Sequence, residues 1–138
     1  MARYFLEVSY DGSLYGGFQI QANHQTIQGE IEKALETIFR TPISLTGASR
    51  TDAGVHGMQN FFHFDTDLQI ESKHIYNMNA LLTKSIAVKA LYAVPSDAHA
   101  RFDATKRAYL YKIHTQKNPF LEGRSWFYPF TMNNEQMQ

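Results

Sequence analysis

An α+β fold is predicted by three features of the 138-residue sequence. Residues 3–10, RYFLEVSY, alternate in character with the period of a strand, and residues 27–39 repeat apolar positions with the period of a helix. Two more strand-like runs, a second helical run and a further strand follow, giving the order β-α-β-β-α-β up to Val94. That order is the ferredoxin-like pattern. It implies a mainly antiparallel sheet with both helices on one face and the other face free for a partner.

Each element has its own signal. In the first strand Tyr4, Leu6 and Val8 share a face. DGSLYGGFQIQANHQ, residues 11–25, is rich in Gly and polar residues and reads as a loop. Thr26 is a suitable N-cap for a helix whose apolar face carries Ile27, Ile31, Ala34, Leu35, Ile38 and Phe39. Arg40 in the last turn and Pro42 just beyond mark its end. ISLTGA, residues 43–48, reads as the second strand, and Gln59 to Asp65 as the third. ESKHIYNMNALL, residues 71–82, is the second helix, with Ile75, Met78 and Leu82 on one side. IAVKALYAV, residues 86–94, is a strand stopped by Pro95. ATKRAYLYKIHT, residues 104–115, and SWFYPF, residues 125–130, are read as additional strands. Asn133 and Gln136 have capping-box spacing, so a helix is expected to begin just before the sequence stops, as in a truncated chain.

A chain of this length fits one domain, residues 1–138, with a core of its own. With 43% hydrophobic residues and no cysteine, it is neither a disordered chain nor a disulfide or thiolate-metal scaffold. MARYFLEVSY has no continuous apolar stretch of the signal-peptide kind, and no later run is long enough to span a bilayer, so a cytoplasmic protein is expected. Net charge is zero, yet residues 1–100 carry 7 basic against 10 acidic groups and residues 101–138 carry 6 against 3. RFDATKRAYLYK, residues 101–112, is thus a local basic and aromatic patch, suited either to a phosphate backbone or to a solvated strand face.

Three ionisable groups, Arg50, Asp52 and His56, lie in the short loop GASRTDAGVHG beside the third strand. Asp52-Ala53-Gly54 fits a simple turn, in which Asp bonds its own backbone and Gly supplies positive φ. It also fits chemistry. Arg50 and Asp52 project to the same side of an extended segment, and a neighbouring cation keeps a carboxylate ionised for use as a nucleophile or base. Asp52, His56 and His63 lack the tight ligand spacing of zinc sites. On the third strand Phe62 and Phe64 share one face while Phe61 and His63 share the other, and exposed aromatics on such a sheet can stack bases.

SRTDAGVHG closely resembles the G-R-T-D-A-G-V-H signature of the tRNA pseudouridine synthase A family. YDGSLYGGFQIQ is similar to that family's Y-D-G-x-x-Y-x-G-[WF]-Q loop, and HARFDATKRAYLY, residues 99–111, to its H-A-R-F-x-A-x-x-R-x-Y-x-Y segment. The three motifs occur in order and cover most of the chain up to Tyr111. Ser49 stands where the family usually has Gly. Members run to roughly twice this length and complete the active site with a second, similar half.

The resemblance implies isomerisation of uridine to pseudouridine in the anticodon stem-loop of tRNA, without metal or organic cofactor, by a homodimer of complete chains. It implies that Asp52 is the essential carboxylate and that Arg50 enters the RNA stack to hold the flipped nucleotide out. Tyr109 would pack against the target base, and Thr51, His56 and Arg107 would contact substrate. The 138 residues alone are expected to be inactive. Two alternatives stand beside this one. A non-catalytic RNA-binding domain would use Phe62, Phe64 and the basic strand, and a metal-assisted hydrolase would use Asp52, His56 and His63.

Overall fold

A computed structural model describes residues 1–130, and the expected helix start at Asn133 lies outside them. Met1–Thr105 forms one compact unit, and a second begins at Lys106.

The first unit is built on a four-stranded antiparallel sheet. Strand β1 (Ala2–Tyr10) is central and pairs with β3 (Gly57–Thr66) on one side and β4 (Ile86–Val94) on the other, while the short β2 (Thr46–Gly47) extends β3. The order is β2-β3-β1-β4. Alternation decides the faces as expected: Tyr4, Leu6, Val8 and Tyr10 are buried together with Phe62 and Phe64 of β3 and Ile86 and Val88 of β4.

Helix α1 (Ile27–Phe39) adds Ile27, Ile31 and Leu35 to that core, and α2 (Lys73–Leu81) adds Met78. Burying each such side chain stabilises the fold by ~1.5–3 kcal/mol. Thr26 caps α1 by accepting from the Gly29 N–H at 3.1 Å. Arg40 ends it in the left-handed conformation, φ 55°, with its N–H on Glu36 O at 2.8 Å. Asn79 of α2 grips β4: its Nδ2 donates to Val88 O at 2.9 Å, and Val88 N donates to Asn79 Oδ1 at 2.8 Å.

Three expectations need correction. Residues 43–45 are not strand, because the Leu45 backbone is bonded to α1 instead: its N–H donates to Glu32 Oε1 at 2.9 Å and its carbonyl accepts from Gln28 Nε2 at 2.8 Å. Residues 104–112 have no regular structure, and the strand signals around them reduce to β5 (Ile113–His114) and β6 (Trp126–Phe127), paired parallel. Alternation makes a strand only where one face is buried, and Tyr109, Leu110 and Tyr111 are all exposed.

The sheet's other face is also not free. His63 is only 5% exposed; its Nδ1 accepts from the Ala100 N–H at 3.0 Å, and the His99 ring meets it edge-on at 4.5 Å. Arg3 holds the same segment, donating to both oxygens of Asp65 at 2.8 Å and to Ala98 O at 2.7 Å. Nearby on that face Glu7 is buried, accepting from Tyr92 OH at 3.0 Å with Lys89 Nζ at 3.6 Å.

Candidate active site

Two loops meet at one end of the sheet: residues 11–25, which follow β1, and residues 48–56, which lead into β3. Their backbones touch closely enough to need glycine. A Cβ on Gly12 would run into the carbonyl of Val55, and one on Gly17, which sits at φ 102°, would come within 3.0 Å of Thr51 O. The Phe18 N–H donates to that same carbonyl at 3.1 Å. Phe18 itself stacks on Phe62 with ring centroids 4.3 Å apart, so the first loop is anchored in the core.

Side chains complete the lock. Tyr10 OH lies 2.9 Å from Thr51 Oγ1, and Asn60 Nδ2 donates to the same phenol at 3.3 Å. Ser49 Oγ donates to Asn60 Oδ1 at 3.4 Å. The Gly12 N–H donates to His56 Nδ1 at 3.0 Å, a nitrogen that also lies 3.2 Å from Asp11 Oδ1. Neutral imidazole accepts from Gly12 there, and only a proton on that nitrogen lets it donate to Asp11. Either way, His56 and Thr51 bind the loops to each other.

The turn at Asp52 is real, and it is made by backbone. Val55 N donates to Asp52 O at 3.1 Å, and Gly54 takes φ 82° as the third turn residue. The Asp52 carboxylate takes no part. Neither it nor the Arg50 guanidinium has a hydrogen-bond or ion-pair partner among the described residues, so they are not paired with each other. A turn-forming aspartate would use its side chain; this one is held out unused.

Both face a cleft of about 460 Å³, within the ~300–1,000 Å³ range of small-molecule sites. Gly16, Gln19, Ile20, Gln21 and His24 of the first loop form one wall, and Arg50 to Ala53 form the other. The sequence pointed to the loop 11–25, with a motif ending on Gln19, but gave none of these side chains a place in the site, because only the docking of two distant loops sets them opposite Asp52.

A family model for tRNA pseudouridine synthases matches residues 7–103, which include both loops and most of the core. The chain belongs to the tRNA pseudouridine synthase family. Among its relatives, tRNA pseudouridine synthase A of Parabacteroides distasonis is 46% identical over 122 residues, 87% of this chain and 48% of the relative. That of Porphyromonas gingivalis is 42% identical over 126 residues, covering 89% and 50%. One from Staphylococcus aureus is 39% identical over 138 residues, covering 98% and 52%. The chain thus spans about half the length of these curated pseudouridine synthase relatives.

Within the family, the other sequence readings lose ground. Phe62 and Phe64 are buried in the core and cannot stack bases. His63 does not line the cleft of Asp52, and burial, then the charge of Arg3 and His99, pushes its pKa below the usual imidazole value. No group of three or more His, Cys, Asp or Glu able to hold a metal is found among the described residues, and no described helix is long and apolar enough to cross a membrane. Tyr109 and Arg107 belong to the second unit, where Tyr109 is 62% exposed.

Proposed function

We propose that this chain is the catalytic-loop half, of ferredoxin-like fold, of an enzyme that converts uridine to pseudouridine in the anticodon stem-loop of tRNA. The observation that carries it is Asp52, a carboxylate with no partner among the described residues, facing a cleft from a loop whose backbone is locked on both sides. The order β2-β3-β1-β4 supports the fold, and the family and its named relatives support the reaction.

The chemistry explains the residue types. The bond from C1′ to N1 breaks, the uracil turns, C5 bonds to C1′, and the C5 proton is replaced by one on N1. Bond breaking develops positive charge at C1′, which a carboxylate stabilises or captures, as in glycoside hydrolysis. Asp52 takes that role as nucleophile. The base must first leave the stem, at a cost of a few kcal/mol. Arg50 fills the vacated space, Tyr109 stacks on the base for ~1–3 kcal/mol, and Arg107 meets the phosphate backbone. Thr51 and His56 contact substrate from the locked loop. No metal or organic cofactor is required by these steps.

The cleft has one carboxylate wall and one polar wall. We place the remaining wall in a second half, consistent with the relatives' greater length, with complete chains acting as cytoplasmic homodimers. Residues 1–138 alone are then inactive, and single-turnover activity from them at enzyme excess would overturn the two-half arrangement. The central test is Asp52→Asn in the complete protein. It abolishes pseudouridine formation on unmodified tRNA and leaves tRNA affinity within a few fold, since the amide is nearly isosteric but not nucleophilic. Measurable turnover by the variant refutes the assignment.

A further inference from the structure

Gln19 stands on the wall of the cleft opposite Asp52. Resting on the reading of the chain as a pseudouridine synthase, we propose that Gln19 holds the detached uracil by its imide edge while the ring turns.

Exchange of N1 for C5 at C1′ corresponds to a half turn of the ring about the line through N3 and C6. That turn swaps O2 with O4 and leaves N3–H in place. The imide edge, acceptor–donor–acceptor, therefore looks the same before and after. A holder that survives the motion needs an acceptor for N3–H and an adjacent donor for whichever carbonyl lies beside it. A carboxamide has both, side by side.

Among the described side chains lining the cleft, only that of Gln19 meets this requirement with its capacity unspent. Arg50 only donates, and ionised Asp52 only accepts. The Thr51 hydroxyl is bonded to Tyr10 at 2.9 Å. Gln21 turns its Nε2 back to Gly16 O at 3.4 Å. The His24 side chain lies against Gly16, close enough that a Cβ there would meet it at 2.8 Å, and its two ring nitrogens point in different directions. Gln19 is exposed and lines the cleft, and its amide has no partner among the described residues.

Its backbone position is held independently of its side chain. Phe18 N–H donates to Thr51 O at 3.1 Å, and Ile20 N–H donates to Gln28 Oε1 at 3.0 Å, on either side of it. A supported backbone therefore sets Gln19 on the wall across the cleft from the carboxylate loop, and replacing its side chain removes recognition without removing the loop.

The test uses the complete protein and an unpaired RNA analogue carrying either uridine or 3-methyluridine at the target, under single-turnover conditions. The wild type reacts about ten-fold or more slowly with 3-methyluridine, which lacks the N3 proton. Gln19→Leu slows the uridine reaction by about ten-fold. It also brings the two substrates to within about two-fold of each other, with RNA affinity unchanged. Gln19→Asn, shorter by one methylene but still an amide, retains part of the discrimination. A wild-type rate for Gln19→Leu on uridine, or a substrate gap as wide in Gln19→Leu as in the wild type, overturns the role of Gln19. A wild type that forms no pseudouridine on any RNA overturns the activity on which it rests instead.

Discussion

The phenol of Tyr10, at the end of β1, lies 2.9 Å from the Thr51 hydroxyl, one residue before Asp52. An inner strand of the sheet is thereby joined to the loop that carries the carboxylate. Tyr10→Phe should cost ~1–3 kcal/mol of stability, since it also leaves the buried Asn60 Nδ2 without its acceptor, yet lower turnover by more than that loss explains, because Thr51 is released beside Asp52. Urea titration and single-turnover rates compare the two effects directly. A rate equal to wild type would show that this bond is structural decoration.

Gly17 offers a second probe of the same locking. Gly17→Ala forces a side chain into φ 102° and presses Cβ to within 3.0 Å of Thr51 O. The strain should cost ~1–3 kcal/mol and displace the loop. Gly123→Ala, at φ 74° with nothing within 4 Å of the added carbon, is the control. Both variants should lose stability, but only Gly17→Ala should lose activity out of proportion. Proportionate losses in both would mean that the backbone contact does not position Asp52.

Acid should weaken the protein in two steps. Burial first, then Arg3 and His99, lowers the His63 pKa, so the unfolded chain binds the extra proton and stability falls as pH drops through ~6.5. The bond to Arg3 lowers the Asp65 pKa, so its contribution is present above the unfolded value of 3.8 and is lost as pH falls through the folded one. Denaturation midpoints measured from pH 8 to pH 3 should show both declines. Asp65→Asn should remove the lower one and keep the upper. An unchanged acid limb in that variant would rule out the Arg3 pair as its source.

Extraction of a base from a stem predicts a particular asymmetry. Arg50→Ala and Tyr109→Ala should impair turnover more on a paired uridine than on an unpaired one. Arg107→Ala should instead weaken RNA binding and reduce its salt dependence by about one unit of slope. Equal losses on both substrates would remove the base-extrusion roles, and an unchanged salt slope would remove the phosphate contact.

Local pattern carried much of the fold into view. Strand β1 alternates because one face meets the core, and α1 announces itself through Thr26 and its apolar spacing. Where local pattern failed, a distant partner decided. Leu45 reads as strand, but Gln28 and Glu32, more than a dozen residues upstream, take its backbone bonds. Residues 104–112 alternate equally well and find no surface to cover among the described residues. At the site, the signature around Asp52 was legible, and so was the motif that Gln19 closes, but not their meeting. Nothing in the sequence sets Gln19 opposite Asp52 until Phe18 fixes its loop across from Thr51.

The grip of Asn79 on Val88 bears on what happens when many copies share a small volume. Among the described residues strand β4 ends the sheet, and the Val88 N–H and carbonyl point outward, where a neighbouring chain could borrow them. A carboxamide already occupies both groups, imitating a peptide unit without offering another strand to continue the ladder. Any foreign strand approaching this edge meets an interruption at the third of its nine residues. Crowded molecules of this domain are thus discouraged from zipping together along β4 by one side chain on the helix that also buries Met78.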